Sequence, residues 1–131
     1  MIYHHSTDPS KTIPNGLALN ITLLSTSPTV RPFKCEALLD TGASYCAIDA
    51  EVADHLQLPV AGFTTYTSAS QKDIPTRIRV TGIEISGQRV LTRAIEAQSG
   101  VLKEPFIIGR SILFYWHIVL DMKQGKYTIC W

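Results

Sequence analysis

Residues 37–44 read Ala37-Leu38-Leu39-Asp40-Thr41-Gly42-Ala43-Ser44. A short apolar run that stops at one carboxylate and a glycine is typical of a buried strand that ends in a tight turn. We therefore expect Asp40 at a strand end facing an apolar interior, where an ionised carboxylate needs a donor or a partner. Asp, Thr and Gly also favour ordinary solvent turns. Because Leu38, Leu39 and Ala43 flank this turn with apolar side chains, the pattern favours a catalytic turn.

A second apolar stretch, Phe106-Ile107-Ile108-Gly109-Arg110-Ser111-Ile112-Leu113, lies sixty-nine positions downstream, counted from Asp40 to Gly109. Together the two stretches resemble the paired motifs of the retropepsin-like aspartic proteases, the single-domain family that includes the retroviral enzymes. In that family the first motif carries the catalytic Asp, and the second packs beside it and opens a short helix. The resemblance extends from about Leu17 to the C-terminus and is specific at the two motifs.

Composition limits what else the chain can be. A length of 131 residues fits one domain, and 45% hydrophobic with 18% charged residues suffices for a core. The formal charge is +1 and there is no run of basic residues, so no nucleic-acid partner is predicted. The N-terminus lacks a signal-peptide pattern and no stretch has eighteen consecutive apolar residues. These features predict a soluble, cytoplasmic protein with no membrane partner.

Cysteine and histidine usage argues against a metal site. Cys35, Cys46 and Cys130 are odd in number and lack C-x-x-C spacing, which speaks against a zinc site and against a fully paired disulfide framework. The adjacent His4 and His5 could bind a metal, but no cysteine or carboxylate cluster lies near them in the sequence, which favours a surface arm. We expect neither a metal ion nor an organic cofactor.

Alternating apolar residues predict that the chain enters the Asp-Thr-Gly turn through a β-hairpin. Residues 17–24 place their odd-numbered apolar positions on one face, and residues 33–39 return as a second strand. Residues 25–32 between them contain Ser, Thr and two prolines, which favour a turn. Residues 1–16 are predicted as an irregular N-terminal arm that could contain extended pieces, and residues 17–131 as one retropepsin-like domain.

Downstream of the turn, the pattern predicts a short strand, a short helix and a long hairpin. Residues 45–48 favour a strand, and Asp49 is a plausible N-cap for one or two helical turns that end before Pro59. Residues 64–85 form the hairpin, with its tip at residues 67–72.

The remaining chain is also mostly extended. The pattern predicts a turn at residues 86–88, a loop at residues 96–105 and a short helix at residues 110–115, before a final hairpin around Gln124-Gly125. We therefore predict an all-β, closed retropepsin-like barrel with one or two short helices and a flap hairpin.

By the resemblance, the long hairpin is the flap that closes over a bound peptide. The residues expected to contact that peptide are Gly42, Tyr66, Thr67, Ser68, Ala69 and Ile108. Retroviral flaps are rich in glycine, whereas this tip has Ser68, Ala69 and Ser70. Tyr66 could hydrogen-bond the substrate or simply pack against its strand neighbours.

The chemistry of this family needs two carboxylates that share one proton, one acting as base toward water and the other polarising the scissile carbonyl. Only Asp40 is followed by Thr-Gly, so one chain supplies half of the pair. A two-fold homodimer would bring Asp40 against its symmetry mate. By resemblance, Thr41 would brace the partner's turn, Gly42 would offer its carbonyl to the peptide, and Ala43 and Ser44 would support the loop.

The second motif and the terminal strand carry further expectations. By resemblance, Gly109 packs beside the catalytic turn. In the retroviral enzymes, the arginine that corresponds to Arg110 pairs with an acidic residue just after the Asp-Thr-Gly-Ala motif, but this chain has Ser44 at that position. We therefore expect Arg110 to pair with Asp49 or the C-terminal carboxylate, or to be a surface charge without a role. The strand at residues 127–131 either joins a dimer sheet, as the retroviral C-terminal strand does, or packs within its own sheet.

Our interpretation is an aspartic endopeptidase that acts as a homodimer on an extended peptide or protein substrate. One alternative is a catalytically inactive module of the same fold that serves dimerisation or peptide binding. Another is a cysteine-dependent enzyme that uses Cys46 with His55, which requires the two side chains within hydrogen-bond reach.

Overall fold

A computed structural model describes residues 2–6, 17–68, 70–121 and 123–130, with side chains from Leu17 onward. The strands in chain order are β1 (Ile2–Ser6), β2 (Ala18–Leu24), β3 (Phe33–Leu39), β4 (Cys46–Asp49), β5 (Val60–Tyr66), β6 (Ile74–Ile85), β7 (Gln88–Ala97), β8 (Phe106–Ile108), β9 (His117–Asp121) and β10 (Lys126–Cys130). The two helices are α1 (Ala50–His55) and α2 (Arg110–Leu113).

Six strands close into a barrel. The order β2-β3-β8-β4-β7-β6 returns to its start because β6 also pairs with β2, in the register Leu23↔Ile83. The strand β5 extends the sheet beyond β6. Most neighbours are antiparallel, but β3 runs parallel to β8 and β4 runs parallel to β7. This arrangement confirms the predicted all-β closed barrel with two short helices.

The β2–β3 hairpin forms where alternation predicted it. Leu19, Ile21 and Leu23 are buried on one face of β2, and Ala37 is buried on β3. Burying each large aliphatic side chain contributes about 1.5–3 kcal/mol. The hairpin therefore anchors the end of β3, which directly precedes Asp40.

The helix α1 begins as predicted at Asp49. The Asp49 carboxylate accepts hydrogen bonds from the backbone N–H of Glu51 at 2.9 Å and of Val52 at 3.3 Å. These bonds satisfy two N–H groups that have no partner inside the helix. Ala53 and Leu56 pack into the core, and the helix ends before Pro59 as expected.

Two hairpins follow α1. The first joins β5 to β6 in the register Tyr66↔Ile74, so its tip falls where the sequence predicted it. The second joins β6 to β7 through Ser86 and Gly87, both at positive φ, which matches the twist of the flanking strands.

The predicted loop at residues 96–105 is wrong at its start, because β7 continues to Ala97. Ala97 pairs with Asp49 of β4, and Glu96 is held by arginines on β6. These partners are distant in sequence, so local pattern does not reveal them.

A second sheet joins the chain ends in the order β1-β10-β9. The strand β1, from the predicted arm, pairs with β10 in the register Ile2↔Cys130, and β10 pairs with β9. Tyr127 and Ile129 of β10 are buried in the core, and the Tyr127 hydroxyl donates to the Ala18 carbonyl at 2.5 Å. Of the two alternatives for the terminal strand, the single chain shows packing within its own sheet.

Candidate active site

The Asp40 turn is closed by its own backbone. The Asp40 N–H donates to the carbonyl of Ile108 at 3.0 Å, so the residue lies where β3 meets β8. The Gly42 N–H donates to the Asp40 carboxylate at 2.9 Å, and the Ala43 N–H donates to the Asp40 carbonyl at 3.2 Å. These three bonds fix the direction of a half-buried carboxylate, while Thr41 and Gly42 remain exposed.

The second motif forms the wall behind this turn. A Cβ added to Gly109 would lie 2.3 Å from the carbonyl oxygen of Tyr45 and 2.9 Å from that of Ala43. No side chain fits there, so the glycine is required by space alone. The next two N–H groups donate to the turn, Arg110 to the Ala43 carbonyl at 2.8 Å and Ser111 to the Ser44 carbonyl at 3.1 Å. Donors at the start of α2 are thus satisfied by acceptors of the turn.

The Arg110 side chain also reaches the turn. Its guanidinium donates to the Ser44 hydroxyl at 2.9 Å and to the Thr41 carbonyl at 3.3 Å. The expected pairing with Asp49 is wrong, because the Asp49 carboxylate caps α1 and also accepts from Ser99. The C-terminal residue lies outside the described part of the chain. Arg110 therefore braces the turn through neutral acceptors and is not an idle surface charge.

Apart from Gly42 in the turn itself, the predicted substrate contacts lie in the β5–β6 hairpin and on β8. Tyr66, Thr67 and Ser68 lie at the end of β5 and in the flap tip, where the Ser68 N–H donates to the Gln71 carbonyl at 2.8 Å. Ala69 lies outside the described residues.

Ile108 is completely buried in the single chain, and its carbonyl accepts a hydrogen bond from the Asp40 N–H, so its contact with a peptide stays a prediction. Side chains alternate between the two faces of a strand. The neighbouring Ile107, which is partly exposed, therefore presents the opposite face of β8.

A cavity of about 220 Å³ lies between the exit of the turn and the strands β5, β6 and β7. Its lining residues are Tyr45, Thr64, Ile78, Arg93, Ala94 and Ile95. Tyr45 follows the turn directly, whereas Thr64 and Ile78 belong to β5 and β6. The Arg93 guanidinium has no ion pair or hydrogen bond to any residue that the structure describes. This cationic wall could not be predicted from the sequence, because Arg93 has the pattern of an ordinary exposed strand residue.

A partly buried ionic network joins β6, β7 and α1, with Arg79 and Glu96 as its buried members. The Arg79 side chain, 4% exposed, donates to the Glu96 carboxylate at 2.7 Å, to the Leu58 carbonyl at 2.6 Å and to the Asp54 carboxylate. Arg77 adds two bonds to Glu96, at 2.8 and 2.9 Å. Burial opposes the ionisation of Glu96, but the hydrogen bonds from the two arginines outweigh it and lower its pKa. The network ties β6 to β7 and α1.

The geometry does not support a cysteine nucleophile. Cys46 is fully buried, its sulfur lies 3.7 Å from the Ser111 hydroxyl, and burial raises its pKa. His55 is exposed at the end of α1, and no hydrogen bond joins it to Cys46. Burial and the nearby Glu104 and Glu36 raise the pKa of Cys35 to about 12. Thiols of this kind are poor nucleophiles at neutral pH.

Within the described residues, no group of three or more His, Cys, Asp or Glu side chains is arranged to hold a metal ion. The side chains of His4 and His5 are not among those described. The helices that the structure describes are all too short or too polar to cross a bilayer.

Several solved structures share this fold, among them the following three. A retropepsin-like aspartic protease from Rickettsia conorii matches with a TM-score of 0.64 at 17% identity, over 98% of this chain and 89% of that one. The EIAV protease complexed with the inhibitor HBY-793 gives 0.53 at 20% identity, over 76% and 86%. The simian foamy virus protease gives 0.51 at 12% identity, over 76% and 93%. At these identities the likeness establishes the fold.

Sequence comparison assigns the family. No curated protein sequence matches the chain significantly. The profile of the gag-polyprotein putative aspartyl protease family matches residues 29–114, which hold the Asp40 turn, the flap, Gly109 and Arg110. This match covers well over half of the chain and agrees with the retropepsin-like barrel. The chain belongs to the gag-polyprotein putative aspartyl protease family, a retropepsin-like family.

Proposed function

We propose that the chain is an aspartic endopeptidase that acts as a homodimer, with Asp40 of each chain forming the catalytic pair. The observation that carries this proposal is the bracing of the Asp40 turn. Gly42 holds the carboxylate, and Gly109 and Arg110 hold the turn from behind. Pre-organisation of this kind is what a catalytic carboxylate needs, whereas a solvent turn needs none of it.

The chemistry follows from two neighbouring carboxyl groups that share one proton. The ionised group takes a proton from a water molecule as the water oxygen bonds to the scissile carbonyl carbon. The protonated group donates a hydrogen bond to the carbonyl oxygen and stabilises the negative charge that develops there. Transfer of a proton to the amide nitrogen then releases the amine product and leaves a carboxylic acid.

A second chain is needed to complete this pair. None of the carboxylates whose contacts the structure gives lies against Asp40. Asp49 caps α1, and Asp54 pairs with Arg79. Thr41 and Gly42, at the exposed side of the turn, are free to meet a partner. A two-fold axis beside them would supply the second carboxylate.

An extended peptide fits between the turn and the flap. In the proposal, Gly42 offers its carbonyl to the peptide backbone, and Tyr66, Thr67 and Ser68 of the flap cover it from above. Ala69 of the flap tip remains part of the proposed contact. Peptides in such clefts bind as an added strand, with side-chain cavities setting specificity.

We also propose that the protein works in a reducing, cytoplasmic environment. Cys35, Cys46 and Cys130 are all free thiols, which supports such a compartment.

The test compares the wild-type protein with Asp40→Asn, using a peptide library and a pepstatin-type transition-state mimic. We expect cleavage to fall at least about a thousandfold with an unchanged far-UV circular dichroism spectrum, because an amide cannot take the proton. Glu51→Gln, an exposed carboxylate-to-amide change on α1, is the matched control and should keep full cleavage. Undiminished cleavage by Asp40→Asn would refute the proposal. Peptide binding without any cleavage by the wild type would favour the inactive module instead.

A further inference from the structure

The strand β7 has an unpaired edge over part of its length. It pairs with β6 over residues 88–95 but with β4 only over residues 94–97. The two-residue turn at Ser86 and Gly87 sets the hydrogen-bonding pattern, because every second residue, starting with the first after such a turn, bonds across the ladder. Leu91 belongs to the other set, so its N–H and carbonyl point away from β6. No strand among the described residues pairs with them on that side.

A groove runs along this edge. A cavity of about 230 Å³ is lined by Leu91 and Thr92 of β7 and, across from them, by Ser111, Ile112 and Tyr115. A second cavity, of about 500 Å³, adjoins the first, since Leu91, Thr92 and Ser111 line both. We call these two cavities the β7 groove. It has an open strand edge as one wall and α2 with the residue Tyr115 as the other.

Apolar side chains line the β7 groove without cover. Leu91 is 72% exposed, and the residue opposite it on β6 is Gly82, which has no side chain to cover it. Tyr115, on the other wall, is 81% exposed. Single exposed apolar residues are normal on a protein surface, whereas apolar residues grouped around a groove are typical of a binding surface. The groove therefore suits an extended segment that carries apolar side chains.

The β7 groove continues the proposed substrate cleft. Its larger cavity shares Tyr45 and Arg93 with the cavity of about 220 Å³ beside the Asp40 turn. Tyr45 directly follows that turn. A substrate chain that leaves the cleft past Tyr45 therefore enters the groove.

Arg93 gives the groove its charge. Of the described residues that line the three cavities, Arg93 is the only one with a charged side chain. Its guanidinium forms no ion pair with a described residue. Since no acid of the cavity walls competes for this cation, charge complementarity favours an Asp or Glu of the occupant.

We propose that the β7 groove is an exosite, which binds a second stretch of the protein substrate, outside the cleaved residues, as an added strand on β7. This stretch sets an apolar side chain against Leu91 and Tyr115 and an Asp or Glu against Arg93. Extended segments add to an open strand edge through backbone hydrogen bonds, and the neighbouring cavities select their side chains. The inference rests on the proposed function, because the occupant reaches the groove from the Asp40 cleft.

The first test compares two extensions of one short peptide that the wild type cleaves. One extension has a Glu followed by alternating Leu and Thr, and the other is a Gly-Ser segment of equal length, each attached at either end in turn. We expect the first to lower KM about tenfold with unchanged kcat, because exosite contacts are the same in the ground state and the transition state. Equal KM values for the two extensions at both ends would overturn the inference.

Variants assign this difference to the groove. Leu91→Lys puts a cation in place of the apolar side chain and should remove the difference in KM between the two extensions. Val101→Lys, the matched control in the loop between β7 and β8, changes another exposed aliphatic residue and should keep the whole difference. A full difference in Leu91→Lys would overturn the groove as its source.

The second test separates strand addition from side-chain contact alone. Leu91→Pro removes an N–H that does not bond to β6, a position where strand edges tolerate proline, whereas Leu91→Ala keeps that N–H. We expect Leu91→Pro to bind the Glu-Leu-Thr extension about three- to tenfold more weakly than Leu91→Ala does. Hydrogen exchange of the wild type needs no substitution, and the bound peptide should slow exchange of the Leu91 amide. Equal affinities, or unchanged exchange at Leu91, would overturn the added strand.

The third test measures binding without cleavage. The labelled Glu-Leu-Thr segment alone should bind Asp40→Asn as tightly as the wild type, measured by fluorescence anisotropy. Arg93→Glu should weaken this binding about tenfold, whereas Arg89→Glu, on the same strand but outside the groove, should not. Equal binding by the two arginine variants would overturn the role of Arg93.

Failure of the exosite can be told apart from failure of the catalytic proposal. If the segment binds but the wild type cleaves no peptide, the carboxylate pair is wrong and the groove is supported. If cleavage requires Asp40 but the segment neither binds nor lowers KM, the groove is wrong and the carboxylate pair is supported. If the segment does not bind and Leu91→Lys instead weakens self-association in sedimentation velocity, the groove holds a second copy and the inference is overturned.

Discussion

The Arg110 guanidinium donates to the Ser44 hydroxyl at 2.9 Å, across sixty-six positions of the chain. The resemblance to the retroviral enzymes implies an acid at this position, whereas Ser44 offers Arg110 a neutral acceptor. Arg110 also reaches the Thr41 carbonyl, which lies next to Asp40. Arg110 therefore braces the turn through two neutral acceptors.

This relationship predicts the effect of changes at Ser44. Ser44→Ala removes an exposed hydrogen bond, so we expect the free energy of unfolding to fall by about 0.5–1 kcal/mol. Ser44→Asp restores a charged acceptor and should raise it by about 0.2–1 kcal/mol. Urea denaturation measures both changes. If Ser44→Ala is as stable as the wild type and Ser44→Asp is less stable, Arg110 does not act through this contact.

The packing at Gly109 predicts a severe effect from one methyl group. Gly109→Ala would push a Cβ against the Tyr45 and Ala43 carbonyls, and backbone cannot move as a flexible side chain does. We expect a loss of about 2–4 kcal/mol in the free energy of unfolding, the range typical of overpacked cores and strained backbones. In Gly62→Ala the added Cβ lies 3.9 Å from Ile78, so that control should change stability by less than about 1 kcal/mol. Equal stability of the two variants would contradict the geometry.

The network around Glu96 predicts a pH dependence of stability. The pKa of Glu96 is lowered from its ordinary value of 4.5, since hydrogen bonds from Arg77 and Arg79 outweigh burial. The ionised form is therefore favoured in the folded state, and its contribution is complete above pH 4.5. The contribution is lost as pH falls below that value through the pKa of the folded state. The midpoint temperature of thermal unfolding should therefore fall as the pH is lowered through this range.

Glu96→Gln should remove that part of the pH dependence. The variant leaves Arg79 buried without its main counter-charge, so we expect a loss of about 3 kcal/mol near neutral pH. The control is Glu84→Gln, which breaks the exposed pair with Arg89 and should cost less than about 1 kcal/mol. If the stability of Glu96→Gln falls with pH below 4.5 as steeply as that of the wild type, the network is not the source of this pH dependence.

The cavity beside the turn predicts charge selectivity in peptide cleavage. Because Arg93 lines it without a partner among the described residues, acidic side chains at the matching substrate position should be preferred about three- to tenfold. Library cleavage by Arg93→Glu should reverse this preference toward basic side chains. Arg89→Glu, a charge reversal on the same strand but outside the cavity, should leave it unchanged. If Arg93→Glu and Arg89→Glu show the same preference for substrate charge, Arg93 is not the source of that preference.

Most of the strands and the first helix could be predicted because their signals are local. The odd-numbered apolar positions of β2, the Asp49 cap and the Ser86-Gly87 turn each depend on residues a few positions apart. The Asp40 turn could likewise be identified from its own residues and the second motif. These features needed no knowledge of the rest of the barrel.

What could not be predicted depends on contacts between distant segments. Arg77 and Arg79 read as solvent-facing residues of β6, yet they are bonded to Glu96 on β7 and Asp54 in α1. The same holds for Arg110, whose expected partner Asp49 was already occupied by a helix N-terminus. Side-chain partners of this kind are set by the register of non-adjacent strands, which a single sequence does not state.

The distance along the chain between Asp40 and Gly109 has a consequence for the growing polypeptide. The turn receives its rear wall, and the guanidinium that steadies it, only from a segment made sixty-nine positions later. A nascent chain that has emerged through the flap still holds an unsupported aspartate. Because domains fold as units once their long-range pairings can form, the braced turn should arise in a single step once the segment that holds Gly109 and Arg110 has been made.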